Sequence, residues 1–482
     1  MPAWKFINPF QDRSPGGYRE FFSIAYPLVI SNLSITLMHF VDRLFLSWSS
    51  TEEIAASMPA GILFFTLIAF FLGISEYTTV FVAQFYGAKR YRDVARVSWQ
   101  GIYFSLVAGV FCLALMPVGT ALLRFAGHPP EITRLEVAYF QILWCGAPFM
   151  LLSRALSGFF AGRGKTSVVM SVNVFINCLN GVLDYALIFG VWGFPQWGIE
   201  GAAIATVSAQ GLGALIFTAL FLLPRHNCEY GIYANYQIQP LLMKRLIHFG
   251  VPSGLNFFID ISGFTVFVFL IGTLGVVELA SSNIVIGINM LTFIPMEAVG
   301  VATATLVGQY IGRNDRAAAE KSVYTALKSA QVYMAIFAII YVLFPETLMR
   351  FFESDPNRSD VAFQQVVEYG KTILLFVAFY QIADASILVF TGALRGAGDT
   401  AFIMRASGFF SWGVFVPGTW IAVQYTEVGV IGVWLWASLY IATLGLVYYL
   451  RFRSGQWKKI EMLHDDDPNL LDVTDDEIQE RT

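Results

Sequence analysis

The sequence predicts an all-α polytopic membrane protein with about twelve transmembrane helices, arranged as two pseudo-symmetric six-helix bundles around a central cleft. Three observations support this fold class. The 482 residues are 56% hydrophobic and 13% charged, whereas soluble proteins average about 25% charged residues. Apolar stretches long enough to cross a bilayer recur along the chain, and the two halves of the sequence resemble each other.

The apolar stretches define the predicted spans. A membrane-spanning helix needs about 20 largely apolar residues. Stretches of this kind lie at 21–47, 54–86, 99–123, 137–160, 167–191, 198–223, 246–273, 279–311, 326–351, 367–393, 402–424 and 429–450. Strands of a membrane barrel would be about ten residues long with alternating polarity, so helices fit these stretches better.

The connections between the spans predict the orientation. Of the 30 Lys and Arg residues, 23 lie in the N-terminal segment, the even-numbered connections or the C-terminal segment. Examples are Lys89 and Arg90 after span two, and Lys244 and Arg245 before span seven. Positively charged connections stay on the cytoplasmic side. We therefore expect a multi-pass protein of the cytoplasmic (inner) membrane with both termini in the cytoplasm.

The longest polar connection inside the chain divides the spans into six and six. The predicted parts are a cytoplasmic N-terminal segment (1–20), an N-lobe (21–223), a cytoplasmic linker (224–245), a C-lobe (246–450) and an acidic cytoplasmic tail (451–482). The four cysteines are far apart and show no CxxC spacing, so no disulfide framework or zinc site is predicted. The net charge of -4 gives no support to nucleic-acid binding.

An internal repeat relates the two lobes. A shift of 225 residues places Pro27 on Pro252, and the Val-x-Gln-x-x-Gly piece at 82–87 on the piece at 307–312. Later in the chain the shift becomes 234, which places Gly162 on Gly396. Because six spans separate the repeats, both lobes enter the membrane from the same side, as in parallel-repeat transporters.

Polar residues inside the first lobe predict a cation site. Span five carries a row of polar residues spaced by three or four positions, namely Asn173, Asn177, Asn180 and Asp184. These share one helical face, and Asp42 with Thr206 can complete an oxygen-rich pocket. Such oxygens suit a hard cation such as sodium, and desolvated carboxylates can carry a proton instead. The alternative is an interhelical hydrogen-bond network.

The second lobe carries its own intramembrane acids. Asp260 follows Pro252 by eight residues, and Tyr380 and Asp384 lie one turn apart on span ten. Charges at the bilayer centre cost about 2.5–3.5 kcal/mol on insertion scales, so these residues predict a second acidic site lining the cleft. Additional candidates for either site are His39, Glu76, Asn177 and Glu297. For His39, a structural partner of Asp42 and a proton relay are equal alternatives.

Several short motifs, taken together and in order, resemble the multidrug and toxic compound extrusion (MATE) transporters over nearly the whole chain. They are the duplicated Val-x-Gln-x-x-Gly pieces, VDRLFLSW at 41–48, NCLNGVLDYALIFG at 177–190, GIEGAAIAT at 198–206 and GALRGAGDT at 392–400. The resemblance is to the NorM-like and DinF-like bacterial multidrug efflux proteins of that family.

This resemblance implies two lobes around a V-shaped cleft that opens alternately to the two sides of the membrane. Typical substrates of the family are amphipathic, often cationic, organic compounds exchanged for H⁺ or Na⁺. The cation site of the N-lobe carries over to Asp42, Asn180, Asp184 and Thr206, with Na⁺ as one occupant. The acidic site of the C-lobe carries over to Asp260, Tyr380 and Asp384. Three features depart from the family: Asp260 replaces a usual Glu, Arg43 follows Asp42, and Glu76 and Glu297 are additions.

We therefore expect a secondary antiporter that is not an enzyme and needs no cofactor beyond its coupling ion. Its partners are small organic substrates, the coupling cation and the lipid bilayer, with no nucleic acid, and the protein is expected to be a monomer. One alternative is a flippase for lipid-linked oligosaccharides from the same superfamily, which usually needs a strongly basic cleft. A non-transporting receptor or structural membrane protein is the other alternative.

Overall fold

The fold is that of a helical bundle, which the computed structural model describes over residues 14–353, 361–425 and 429–463. Within these ranges the regular structure is helical and contains no β-strand. The residues before Ser14 and the acidic tail from His464 onwards, predicted above to be cytoplasmic, lie outside the described residues.

Each half of the chain forms a succession of long apolar helices. The first half comprises α1 (Tyr18–Ser49), α2 (Thr51–Glu76), α3 (Thr78–Gly87), α4 (Tyr91–Phe125), α5 (Pro130–Cys145), α6 (Ala147–Gly162), α7 (Thr166–Phe189) and α8 (Gly198–Phe221). A short helix, α9 (Pro224–Tyr230), follows. The second half comprises α10 (Pro240–Gly272), α11 (Val276–Gly312), α12 (Arg316–Leu343), α13 (Pro345–Arg350), α14 (Val361–Gly396), α15 (Thr400–Ser407), a π-helical segment (Gly408–Phe415), α16 (Val416–Tyr425) and α17 (Gly429–Arg453).

These helices confirm the predicted all-α membrane fold. In the described part of the chain, 11 helices are long and apolar enough to cross a membrane, and the bent pair α5 and α6 raises the number to 12. The axes of α5 and α6 differ by 41° across Gly146. Span two is likewise divided, into α2 and α3 at Tyr77.

Two helices begin earlier than the apolar stretches that predict them. Helix α12 begins at Arg316 rather than near 326, because the Asp315 side chain accepts a hydrogen bond from the Ala318 backbone N–H and caps a polar first turn. Helix α10 begins at Pro240, inside the predicted linker. Proline suits the first turn of a helix, where its missing N–H leaves no bond unmade.

The rest of the linker packs against the first lobe. The indole N–H of Trp99 in α4 donates to the Ile232 carbonyl at 3.0 Å. Next to it, Gln100 Nε2 donates to the Gln237 carbonyl at 3.1 Å. The connection between the lobes is therefore bound to α4 by side-chain hydrogen bonds.

The two ends of the bundle differ in charge. The turns at Lys89 and Arg90, at Arg163 and Lys165, and at Arg313 and Arg316 all lie at one end, because each follows a span that returns to it. We call this end the basic face and the other end the opposite face.

The lobes are joined near the basic face and separate toward the opposite face. One large hydrophobic cluster includes residues of both lobes, such as Phe81 in α3 and Leu306 in α11. Toward the opposite face the clusters stay within one lobe, around Trp144 in the first and Trp434 in the second. The cleft between the lobes therefore lies toward the opposite face, where the two cores are separate.

Pairs of helices related by the repeat make the contacts across the lobe boundary. Helix α1 meets α11, where Asn32 Nδ2 donates to the Ile294 carbonyl at 3.0 Å. Helix α10, the repeat of α1, meets α2, where the rings of Phe65 and Phe257 are 5.8 Å apart. This reciprocal packing is the two-fold arrangement that the sequence repeat predicts.

Candidate functional site

The polar row of α7 faces α1 along much of its length. Asn173 Nδ2 donates to Ser31 Oγ at 2.7 Å, and Asn177 Nδ2 donates to Ser34 Oγ at 2.8 Å. These two amides therefore form the interhelical hydrogen-bond network that was the alternative to a cation site.

Further along the same face, Asn180 bridges two acids. With its amide nitrogen facing the carboxyl groups, Asn180 donates to Asp42 Oδ1 at 3.1 Å and to Asp184 Oδ2 at 3.2 Å. In the same orientation its amide oxygen accepts from the Thr206 backbone N–H at 3.2 Å. We assign this orientation from the hydrogen bonding, because it satisfies both ends of the amide. The four residues predicted for the N-lobe cation site thus lie together.

The two carboxyl groups of this cluster are removed from water. Asp42 is 9% exposed and Asp184 is 0% exposed, and the two carboxyl groups lie within hydrogen-bonding distance of each other. Asp184 Oδ1 is buried and has no hydrogen-bond partner. Two adjacent buried carboxylates repel each other unless a proton or a metal cation lies between them. The geometry therefore suits the capture of one positive charge.

Neighbouring residues differ in how closely they approach this pair. His39 Nδ1 lies 3.9 Å from Asp42 Oδ2, and its side chain is 60% exposed. Arg43 is exposed and lies within electrostatic range of His39 and Tyr139. Tyr139 of α5 lies within electrostatic range of both Asp42 and Asp184. Tyr139 was not predicted as a site residue, because no motif or spacing links α5 to the acids.

In the second lobe, Asp260 has hydrogen-bond partners that the sequence analysis does not name. Asn256, one turn earlier on α10, donates through Nδ2 to Asp260 Oδ2 at 2.9 Å and to Ser407 Oγ at 2.8 Å. Ser407 Oγ in turn lies 2.8 Å from the Tyr448 hydroxyl. The spacing of four residues between Asn256 and Asp260 is the signal in the sequence that connects the first two members of this set.

Tyr380 and Asp384 lie one turn apart on α14. The Tyr380 hydroxyl accepts a hydrogen bond from Asn289 Nδ2 at 3.5 Å, and Asp384 is buried with 9% exposure. Tyr440 of α17 lies within electrostatic range of both Asp260 and Asp384. Tyr440 thus links the two acids electrostatically, and Tyr380 lies within range of Asp384 while its hydroxyl bonds α11.

Glu76 and Glu297 lie within electrostatic range of each other across the lobe boundary. Each is half-buried. Glu297 of the second lobe lies within electrostatic range of Glu76 and Arg154 of the first lobe, and of Arg395 of its own lobe. The cleft therefore contains charges of both signs near the junction of the lobes.

A pair of glutamines closes the lobes against each other near the basic face. Gln84 Nε2 donates to the Gly396 carbonyl at 2.9 Å, and Gln309 Nε2 donates to the Gly162 carbonyl at 2.8 Å. Both glutamines are buried. The repeat places Gln84 on Gln309 and Gly162 on Gly396, so the two bonds are equivalent. We call these four residues the glutamine latch.

The backbones approach each other closely beside this latch. A Cβ atom added at Gly87 would lie 2.0 Å from the Gln309 carbonyl oxygen, and one added at Gly312 would lie 2.0 Å from the Gln84 carbonyl oxygen. Only glycine fits at either position in this closed arrangement. The Val-x-Gln-x-x-Gly repeat therefore supplies both the hydrogen-bond donor and the space that the junction requires.

Comparison with known proteins agrees with a duplicated twelve-span membrane protein of this architecture. The family model described as MatE matches residues 27–186 and 252–421, one segment in each lobe. The chain belongs to the MatE family.

Two relatives cover nearly the whole chain. The chain is similar to the probable multidrug resistance protein NorM of Thermotoga maritima, with 28% identity over 455 residues, which is 92% of this chain and 94% of that protein. It is also similar to the probable multidrug resistance protein NorM of Chromobacterium violaceum, with 28% identity over 446 residues, or 90% of this chain and 93% of that protein.

Solved structures share the fold. One is a MOP superfamily transporter from Pyrococcus furiosus, described as having a binding pocket of reverse polarity. It aligns with a TM-score of 0.84 at 22% identity, and the alignment covers 95% of this chain and 100% of that chain. An outward-facing conformation of a multidrug resistance MATE family transporter aligns with a TM-score of 0.83 at 22% identity, with the same coverage.

Proposed function

We propose that this protein is a secondary active antiporter that exports amphipathic, often cationic, organic compounds in exchange for H⁺ or Na⁺ by alternating access. The relatives carry the name multidrug resistance protein, which supports the substrate class. In this proposal the basic face lies in the cytoplasm, in agreement with the distribution of positive charge. The two lobes are the moving bodies, and the linker joins them on the cytoplasmic side.

The observation that carries the proposal is the Asp42–Asn180–Asp184 cluster. A buried Asp184 oxygen without a partner costs free energy in a site that lacks a positive charge. A proton or a sodium ion relieves this cost, and release of the ion restores it. If the two acids served only to pack the helices, we would expect each of their carboxyl oxygens to have a hydrogen-bond partner.

The closed junction at the basic face supports alternating access. The glutamine latch joins the lobes on that side, and the cleft opens toward the opposite face. This is the arrangement in which exported substrate leaves and the coupling ion enters. Opening toward the cytoplasm requires both latch bonds to break and the Gly87 and Gly312 contacts to separate.

Coupling follows when the ion and the substrate favour different arrangements of the first lobe. Asp42 lies on α1 and Asp184 on α7, so an ion between them draws these helices together. Helix α1 also contacts α11 through Asn32 and Ile294, so its movement alters the wall of the cleft. A ligand shifts a conformational equilibrium only by its difference in affinity for the two states.

The test measures the rate of ethidium movement across the membrane of proteoliposomes. A sodium gradient is imposed in one experiment and a pH gradient in another. We expect uphill movement with at least one gradient in the wild type and none above background in Asp184→Asn. Glu200→Gln, which neutralises an exposed acid on α8, is the matched control and is expected to transport normally. Gradient-driven transport by Asp184→Asn at the wild-type rate would remove the acid pair from the mechanism.

A further inference from the structure

A chain of hydrogen bonds connects Asp260 on α10 to the Tyr448 hydroxyl on α17 through Asn256 and Ser407. Asn256, Ser407 and Tyr448 are 3%, 1% and 1% exposed, respectively, whereas Asp260 is exposed. The Tyr448 end of this hydrogen-bond chain therefore lies in the core of the lobe. The Asp260 end is an acid that an ion can reach.

The hydrogen-bond chain reaches the junction between α15 and the π-helical segment. Ser407 is the last residue of α15, and the π-helical segment begins at the next residue. Such segments are rare and occur frequently at functional sites. The segment also packs closely on α10, because a Cβ atom at Gly263 would lie 2.2 Å from Ser411 Oγ. A shift of Ser407 is thus transmitted directly to the π-helical segment.

The hydroxyl groups of this hydrogen-bond chain have alternative acceptors. Asn256 Nδ2 donates to the Asp260 carboxylate, and Ser407 lies within hydrogen-bonding range of the same carboxylate. Between Ser407 and Tyr448 either hydroxyl can be the donor. The Tyr448 hydroxyl has a second acceptor, the Ile403 carbonyl at 3.5 Å. If Asp260 carries a proton or binds a cation, Ser407 can donate to the Tyr448 hydroxyl instead, and the Tyr448 hydroxyl can donate to the Ile403 carbonyl.

We propose that Asn256, Ser407 and Tyr448 are positioning residues that hold Asp260 as a second cation-binding carboxylate and link its occupancy to the π-helical segment. The inference rests on the proposed antiport function and adds a defined set of residues to it. Other groups face the same acid: Arg395 from α14 and Tyr440 from α17 lie within electrostatic range of Asp260, and Asp384 lies within range of Tyr440.

The test measures ethidium affinity in nanodiscs as a function of pH and of sodium concentration. Asp184→Asn serves as the background, so that the remaining dependence reports the second lobe. Ser407→Ala and Tyr448→Phe each remove one hydroxyl from the chain. Tyr449→Phe is the matched control, because Tyr449 is the next residue and its ring contacts Phe390 instead.

We expect the midpoint of the pH dependence to move to higher pH by about one unit in Ser407→Ala and by about half a unit in Tyr448→Phe, since a carboxylate that loses donors is less stable as an anion. Tyr449→Phe should follow the background protein, and Asp260→Asn should abolish the dependence. Elution as a single species and an unchanged unfolding temperature confirm that each variant is folded.

The outcomes separate the two proposals. If the background protein responds to cations while Ser407→Ala and Tyr448→Phe match it, the positioning role is wrong and the antiport function stands. If Asp260→Asn retains the full dependence, Asp260 is not a cation site and the inference fails. If the wild type itself responds to neither cation, the antiport function fails and the inference fails with it.

Discussion

Gln84 and Gln309 make the same hydrogen bond in opposite directions across the lobe boundary. Each side-chain amide donates to the backbone carbonyl of a glycine in the other lobe, Gly396 at 2.9 Å and Gly162 at 2.8 Å. The donors and acceptors of the two bonds are related by the internal repeat, and Gln84 Nε2 also contacts Met462 Sδ at 3.1 Å. The closed basic face is therefore held by a repeat-related pair of bonds, together with the bond from the Tyr77 hydroxyl to the Arg395 carbonyl at 3.0 Å.

Removal of either glutamine amide should favour opening at the basic face. Gln84→Leu or Gln309→Leu removes a bond worth about 1 kcal/mol and leaves a buried carbonyl without a donor. The reporter is an engineered Ala83→Cys in a protein whose native cysteines are replaced by serine, because Ala83 of α3 faces Gly308 of the second lobe. We expect its rate of thiol labelling to rise about five-fold in either variant. The reagent is added to the basic face, which sealed inside-out vesicles expose.

Gln141→Leu is the control for this comparison, because Gln141 bonds Thr120 within the first lobe. Equal labelling in the control and in both latch variants would show that the glutamines do not hold the junction closed. Unequal effects of Gln84→Leu and Gln309→Leu would show that its two halves are not equivalent.

Gly87→Ala should prevent the lobes from closing on the basic face. The added methyl group would lie 2.0 Å from the Gln309 carbonyl oxygen. Because this oxygen belongs to a helix backbone, the clash is relieved only if α3 and α11 move apart. We expect the variant to be inserted and folded but to lose ethidium efflux almost completely. Gly61→Ala, on α2 with no atom within 4 Å of the added Cβ, should transport at the wild-type rate. Normal efflux by Gly87→Ala would contradict the structure of this junction.

Asp42 and Asp184 should act as one unit. Because Asn180 joins the two carboxyl groups around a single charge, either Asp→Asn change alone should remove cation-driven efflux. The double variant should then be no worse than the single variants, which is the non-additivity expected for residues in contact. Independent, multiplicative losses of rate in proteoliposomes would mean that the two acids serve separate steps.

Asn173 should contribute to stability and not to coupling. Its amide bonds Ser31 at 2.7 Å, away from the acid pair. We expect Asn173→Ala to lower the free energy of unfolding by about 0.6 kcal/mol, the average for interhelical hydrogen bonds in a membrane protein. Its ratio of cations exchanged to substrate exported should stay at the wild-type value, and a changed ratio would extend the coupling site along α7.

The sequence predicts much of this architecture because long apolar stretches and an internal repeat are strong signals. The row on α7 also predicts the Asn180 and Asp184 pair, since helical spacing determines which side chains share a face. The spacing of this row does not show that Asn173 has a structural role and Asn180 a role at the acid pair. That difference depends on the residue of α1 that each one faces, which is Ser31 for Asn173 and Asp42 for Asn180. Tyr139 and Tyr448 reach the acids only through tertiary packing, which local spacing cannot supply.

The central claim is that a cation in the Asp42–Asp184 pocket and a substrate in the cleft oppose each other, and equilibrium binding tests it most directly. Ethidium affinity is measured in nanodiscs while the sodium concentration is raised at constant pH and ionic strength, and while the pH is lowered without sodium. The account predicts that at least one cation weakens ethidium binding in the wild type by about ten-fold or more, and that the Asp42→Asn, Asp184→Asn double variant loses most of this effect. Ethidium affinity that is independent of both cations in the wild type, or an undiminished response in the double variant, would contradict it.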